Sequence, residues 1–119
     1  MYTLFQSAAN TTTNGTAIGT AGQDVRVFGI IIGAPVASGN IALYSITNPI
    51  GGANMAAAST ANIAAKITLP ATLPTTGAEQ AITRMFGPYG LPLADGGNIM
   101  IDQTMQVTVI WGIADNSQI

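Results

Sequence analysis

The segment from Val25 to Ile32 constrains the fold most, because both of its alternating rows of side chains are apolar. One row is Val25, Val27, Gly29 and Ile31, and the other has Phe28, Ile30 and Ile32 after Arg26. A strand that is apolar on both rows is expected at the centre of a sheet, covered on both sides. Pro35 ends it, since proline has no amide hydrogen to donate to a neighbouring strand. We therefore expect a β-structure built around this strand.

Further strand-like segments follow, separated by turns rich in Gly, Pro and Asn. Ile41 to Ile46 comes after the turn residues Ser38-Gly39-Asn40, and the short connection predicts an antiparallel hairpin with the preceding strand. Seven or eight short strands with turn signals about every ten residues are typical of a β-sandwich. The predicted fold is all-β: a single antiparallel, jelly-roll-like β-sandwich. Its other strands are expected at Ile63–Leu69, Ala81–Phe86, Ile99–Asp102 and Met105–Ala114.

Two of these segments alternate clearly enough to predict which side chains are buried. In the last strand, Met105, Val107, Val109, Trp111 and Ile113 form the core row, with Trp111 as its largest anchor. In the strand that begins at Ile63, Lys66 is expected in water. Residues 53–65, which precede or begin that strand, are Ala-rich and predict a loop or a short helix.

The first 24 residues form an N-terminal arm or edge strand with a low-complexity linker, ahead of a β-sandwich domain at 25–119. Ala8 to Gly22 holds one large apolar residue, Ile18, which predicts a flexible arm or a surface loop. The apolar patch Tyr2, Leu4 and Phe5 precedes it. These side chains either form an edge strand of their own sheet or hook onto a neighbouring subunit, and we keep them as candidate partner contacts.

Charged residues are only 7% of the chain, against the roughly 25% usual in soluble domains. Three scattered cations cannot neutralise a run of phosphates, so nucleic acid and a polybasic contact with membrane lipid are not expected as partners. The apolar run from Val27 to Val36 is too short to span a bilayer, and Met1 to Gln6 does not resemble a secretory signal. Either partners cover much of the surface, or uncharged polar residues keep it soluble.

The residues available for chemistry are few. With no His and no Cys, the commonest general base, the thiol nucleophile and the usual zinc ligands are missing, so we expect no enzyme, metal site or cofactor. Asp95 and Asp102 form either ordinary turns or an oxygen-ligand site for Ca²⁺. A carboxylate-only hydrolase would require these residues and Glu79 to converge. Among the aromatic residues, Tyr89 between Pro88 and Gly90 is the best exposed candidate for contacting a partner.

The C-terminal third resembles the end of small structural proteins of tailed bacteriophages. The resemblance rests on a Pro-x-Gly-apolar bend within Phe86–Leu93, a turn and strand at Asp95–Ile101, and a terminal strand at Gln106–Trp111. The Val25–Ile46 segment is similar to the opening strands of those proteins. The likeness in layout extends from Val25 to Ile113.

This resemblance implies a virion component made in the host cytoplasm, most directly a capsid decoration or cement protein without an enzyme site. Its expected partner is the major capsid protein or another virion protein. Such a protein forms symmetric oligomers, with a homotrimer expected, and clamps adjacent shell subunits. The alternative is a tail, fibre or other receptor-facing β-module that binds host glycans through Tyr89.

Overall fold

A computed structural model describes residues 2–9, 15–33, 35–47, 63–71 and 82–114. The chain forms two antiparallel sheets that pack on each other as a sandwich. The all-β antiparallel prediction is confirmed. Within the described residues no helix is long and apolar enough to cross a membrane. The strands are β1 (Tyr2–Ala9), β2 (Thr16–Ile18), β3 (Val25–Gly33), β4 (Asn40–Tyr44), β5 (Ile63–Thr68), β6 (Ile82–Met85), β7 (Leu91–Leu93), β8 (Gly97–Ile101) and β9 (Gln106–Ala114).

Each sheet combines strands from both halves of the chain. Sheet A has the order β1-β9-β3-β6, with β7 pairing β3 beyond the end of β6, and sheet B has the order β2-β8-β4-β5. Four of the pairs nest inside one another: β1 with β9, β2 with β8, β3 with β6, and β4 with β5. The first four strands thus pair with the later ones in reverse order along the chain.

The predicted hairpin between the strand at Val25–Ile32 and the one at Ile41–Ile46 is wrong, because β3 and β4 belong to different sheets. Both edges of β3 are already paired, one with β9 and the other with β6 and β7. The chain turns between the sheets at residues 36–39, where the Gly39 amide donates to the Val36 carbonyl at 3.0 Å and Ser38 has φ of 59°. This crossing lets β3 and β4 bury their apolar rows against each other.

The core lies between the sheets and draws on both of them. The predicted row of the last strand is confirmed, since Met105, Val107, Val109 and Trp111 are buried and Ile113 packs against them. Burial of this many aliphatic side chains, at roughly 1.5–3 kcal/mol each, is the main force holding the sheets together. The other buried members are Ile18, Val25, Val27, Ile30, Ile32, Ile41, Leu43, Leu69, Leu93, Ile99 and Ile101.

β3 is central, as predicted, but it is not covered on both sides. Its register against β9 shifts between Val27 and Gly29, so the strand contains a β-bulge at Phe28. Val25 and Val27 before the bulge and Ile30 and Ile32 after it point into the core. Ile31 lies on the other side and is 36% exposed, so the prediction of two-sided burial is wrong at this residue.

The segment before Val25 supplies strands to both sheets. β1 pairs with β9 along its whole length at one edge of sheet A, and β2 pairs with β8 at one edge of sheet B. The prediction of a flexible arm or surface loop is wrong for Thr16–Ile18, which form a strand in which Ile18 is fully buried. A single apolar side chain cannot order its own segment, but here it enters a core that more distant strands provide.

The remaining elements follow the sequence more closely. β5 is half-exposed with Lys66 in solvent, as its alternation predicts. The irregular bend expected at residues 87–93 is a turn followed by β7, whose Leu93 is fully buried. Of the predicted loop or short helix at 53–65, residues 63–65 belong to β5, and 53–62 lie outside the described residues.

Candidate interaction face

The outer surfaces of the two sheets differ in exposure. In sheet B, Ala42 and Tyr44 on β4 and Met100 on β8 point away from the core between the sheets, yet each is at most 2% exposed. They form a second small apolar cluster, with Ile63 packed against it. The centre of this outer surface is therefore buried, and large apolar side chains there do not reach solvent.

The outer surface of sheet A is open, and its centre is uncharged. The register places two rows of residues across β6, β3 and β9: Thr83, Ile31 and Thr108 in one row, and Met85, Gly29 and Ile110 in the other. Met85 is 64% exposed and Ile31 is 36% exposed. We call these two rows, with the adjoining turn at 87–90, the outer face of sheet A.

Met85 is supported by the backbone beneath it. Gly29 lies opposite Met85, and a Cβ added at Gly29 would sit 2.6 Å from the Met85 sulfur. A side chain at position 29 would therefore push the thioether aside. The exposed Met85 side chain rests on bare backbone, as a flexible and polarisable contact group.

Tyr89 stands at the tip of a tight turn beside this face. The Gly90 amide donates to the Gly87 carbonyl at 3.3 Å, which closes a four-residue turn with Pro88 in its second position. The backbone of Gly90, with φ of 73°, packs against Phe28 and Arg26, and a Cβ there would come within about 3.2 Å of both side chains. The turn thus holds Tyr89 next to the outer face of sheet A, with 77% of its surface exposed.

One of the chain's three cations, Arg26, borders this face. Arg26 alternates with the core residues Val25 and Val27 and so lies on the outer side of β3, 3.7 Å from the Asp24 carboxylate. Arg84 pairs with the core residue Ile30, so it lies on the other side of the edge strand β6 from Met85, where it is exposed. Tyr, Met and Arg are enriched in protein–protein interfaces, whereas Lys, Glu and Asp are depleted.

The structure does not bring the predicted contact residues together. Tyr2, Leu4 and Phe5 lie in β1, where they pair in register with Ala114, Gly112 and Trp111. Tyr89 follows β6 and precedes β7, which both pair with the other side of β3. β9 and β3 therefore separate the two groups, which belong to opposite edges of sheet A.

The two acids considered for a cation site are far apart. Asp95 and Asp102 flank β8 at opposite ends, so the extended strand holds them roughly 20 Å apart. The Asp95 carboxylate accepts a hydrogen bond from the Gly22 amide. The turn interpretation therefore fits both residues, and two carboxylates this far apart cannot bind one ion. Glu79 lies outside the described residues.

Asp102 instead closes a network at one end of sheet B. Its two carboxylate oxygens accept from the Asn40 backbone amide and from the Asn40 side-chain amide, both at 2.6 Å. The Thr68 hydroxyl donates to Asn40 Oδ1 at 2.6 Å. β4, β5 and the end of β8 are tied together there by side chains, with Asp102 half-buried.

Trp111 and Phe86 lie in or against the core, as their positions in the sequence pattern predict. Trp111 is 8% exposed in the core, and Phe86 packs against the core. Neither is available as a stacking platform, whereas Tyr89 is exposed.

Sequence reasoning missed Ile31 and Met85. Ile31 lies in a strand with two apolar rows, and period-two alternation cannot tell which row faces solvent. Met85 lies in a strand of four residues, too short for its pattern to assign a side. No protein-family model matches the sequence, and no curated protein matches it either.

Proposed function

We propose that this chain is a non-enzymatic structural protein of a virion, a capsid decoration or cement protein that binds and stabilises adjacent shell subunits. The proposal rests on one observation: Ile31, Met85 and Tyr89 are exposed on one side of the sandwich whose centre is uncharged, whereas the centre of the opposite sheet surface is buried. A contiguous exposed apolar surface on a small domain is typical of an interaction site. The resemblance of the C-terminal third to phage structural proteins supplies the virion context.

The strand order supports a jelly roll as the architecture behind this function. Wrapping one long antiparallel ribbon into two sheets pairs the first strand with the last, the second with the next to last, and so on inward. With β7 set aside as an addition, the nested pairs of this chain follow that order. Such a sandwich presents a broad sheet face that can lie flat on a shell.

The expected partner is the major capsid protein or another virion protein, and the expected assembly is a homotrimer on the particle. A chain with a net charge of −2 has little electrostatic repulsion between copies. Symmetric repetition would let each copy use the same face on equivalent shell subunits.

Cosedimentation with particles of the encoding virus, first stripped of this protein, tests the proposal. We expect the wild-type chain to bind, and we expect Met85→Ser combined with Tyr89→Ala to weaken binding about 30-fold or more, since anchor residues at interfaces contribute about 2 kcal/mol or more. Gln103→Ala, an exposed change outside this face, is the control. A folded wild-type chain that does not cosediment with the particles would refute the proposal.

The exposure of Tyr89 supports a second candidate, a receptor-facing module of a tail or fibre that binds host glycans. An aromatic ring held at a turn tip can stack on the apolar face of a sugar ring. A glycan array with wild type and Tyr89→Ala separates the two functions. A reproducible sugar signal that the substitution abolishes favours recognition, and an array without signal favours the decoration protein.

A further inference from the structure

We infer that the edge of β1 that faces away from β9 pairs with the same edge of a second copy of this chain, which joins two A sheets into one continuous sheet. β1 lies at one edge of sheet A, and among the described strands it pairs with β9 alone. Its other edge therefore offers backbone donors and acceptors along Tyr2–Ala9. The inference goes beyond the proposed function, since it holds whatever the particle partner is.

The other sheet edges in the described part of the chain carry features that prevent strand pairing. Such features are short strands, charged residues and proline. β2 has three residues, and β6 has four and includes Arg84. β7 includes Pro92, and β5 includes the solvent-exposed Lys66. Each of these edges is thus a poor template for a further strand.

β1 has none of these features. Its eight residues contain no charged residue, no proline and no glycine. Its register against β9 runs from the pair Tyr2 and Ala114 to the pair Ala9 and Val107 without a bulge, so the strand extends the sheet evenly to its edge. A long, regular and uncharged edge is a template for strand addition, in which main-chain hydrogen bonds supply the affinity.

A second copy is the occupant that this edge fits by its own symmetry. Two identical strands can pair antiparallel about a two-fold axis perpendicular to the sheet, and each copy then uses the same surface. Such an axis places one residue opposite its own equivalent, because opposed residues lie on the same side of a sheet. Centring on Phe5 pairs Tyr2–Ala8 with itself, and centring on Gln6 pairs Thr3–Ala9 with itself. No like charges meet in either register, since β1 is uncharged.

This axis also brings the outer faces of sheet A from both copies to the same side. The joined sheet has the strand order β6-β3-β9-β1-β1-β9-β3-β6. Ile31 and Met85, with Tyr89 beside them, then occur twice on one side, so the dimer can bind two adjacent sites at once. The second binding event is intramolecular, which raises the affinity without any new contact. This pairing joins copies two by two and is separate from the three-fold assembly proposed on the particle.

Sedimentation equilibrium of the purified full chain tests the pairing. We expect the wild type to form dimers at micromolar concentrations. We expect Gln6→Lys to raise the dimer dissociation constant at least about tenfold, because the two new charges meet near the two-fold axis. Gln103→Lys introduces the same charge at an exposed position outside the sheets and should leave the dissociation constant unchanged. Trp111 fluorescence verifies that each variant is folded. A wild type that stays monomeric, or equal dissociation constants for the two folded variants, overturns the inference.

A single introduced cysteine locates the contact, since the chain contains none of its own. Opposite residues of an antiparallel pair have Cα atoms about 5 Å apart, which suits a disulfide. Phe5→Cys or Gln6→Cys, whichever lies on the axis, should give a disulfide-linked dimer under mild oxidation. Gln103→Cys is the control and should stay monomeric. A wild-type dimer in which neither position 5 nor position 6 crosslinks faster than position 103 also overturns the inference.

Particle binding separates this inference from the proposed function. Gln6→Lys should bind stripped particles at least about tenfold more weakly than Gln103→Lys, because the paired faces no longer act together. Equal particle binding by the two variants overturns the paired use of the faces. A monomeric wild type that binds particles overturns the pairing and leaves the proposed function standing. A dimer that does not bind particles refutes the proposed function and leaves the pairing standing.

Discussion

At the scale of single residues, the same residue type has different roles at different places in the sandwich. Tyr44 on β4 is 1% exposed, whereas Tyr89 at the turn tip is 77% exposed. Burial raises the pKa of the Tyr44 phenol, because the anionic form loses hydration there. Tyr44 therefore contributes to stability, and Tyr89 is free to contribute to binding.

The raised pKa of Tyr44 predicts a loss of stability in alkali. The folded state binds the phenolic proton more tightly than the unfolded chain, whose tyrosine pKa is about 10. Stability is complete below that pH and falls as the pH rises through the folded-state pKa. We expect Tyr44→Phe to show a flatter profile above about pH 10, measured by urea unfolding with Trp111 fluorescence. Parallel profiles for the two proteins would contradict this prediction.

At the scale of elements, side-chain hydrogen bonds fix the ends of strands that have few residues to pair. β4 and β8 have five residues each, and Asn40 at the start of β4 binds the Asp102 carboxylate just after β8. Charge-assisted hydrogen bonds in a half-buried place are stronger than an exposed ion pair. The carboxylate that sequence reasoning considered for a cation thus holds a strand end.

The two acids Asp102 and Asp24 form a matched pair for testing this role. Asp102→Ala removes two short acceptor contacts and should lower the free energy of unfolding by about 2 kcal/mol. Asp24→Ala removes an exposed carboxylate 3.7 Å from Arg26 and should cost about 0.5 kcal/mol or less. Chemical denaturation gives both values. Equal losses would show that the network contributes no more than a surface ion pair.

At the scale of the whole molecule, the two sheets share one core, and neither buries its apolar rows alone. Val27, Ile30 and Val109 of sheet A lie in the same cluster as Ile41, Leu43 and Ile99 of sheet B. Every pairing between the described strands joins segments that are distant in the sequence. The closest is β4 with β5, which still links Tyr44 to Ile63. Stability therefore depends on both sheets forming together.

This arrangement predicts cooperative unfolding. Trp111 fluorescence reports on sheet A, and amide hydrogen exchange of β4 and β8 reports on sheet B. We expect the same free energy of unfolding from both, because losing one sheet exposes the core of the other. If amide exchange in sheet B gave a much lower free energy of unfolding than Trp111 fluorescence gives, the two sheets would not unfold as one unit, and the prediction would be wrong.

Sequence patterns predict those parts of the fold that depend on local alternation. Alternation identified the core row of β9 and the exposure of Lys66, because each strand there has one face in the core and one outside it. It did not identify Ile31 as exposed or β2 as a strand. Ile31 is flanked by apolar residues on both rows, and Ile18 depends on a core formed mostly by residues far along the chain.

By itself, the sequence determined the all-β class, the positions of most strands, the core row around Trp111 and the exposure of Tyr89, because period-two alternation and turn chemistry are local properties. The tertiary structure alone decided that β3 and β4 lie in different sheets, that Asp95 and Asp102 are held apart, and that Ile31 and Met85 share one open face with Arg26 at its border. These outcomes depend on which distant strands pair, and pairing follows from burying all the apolar rows at once.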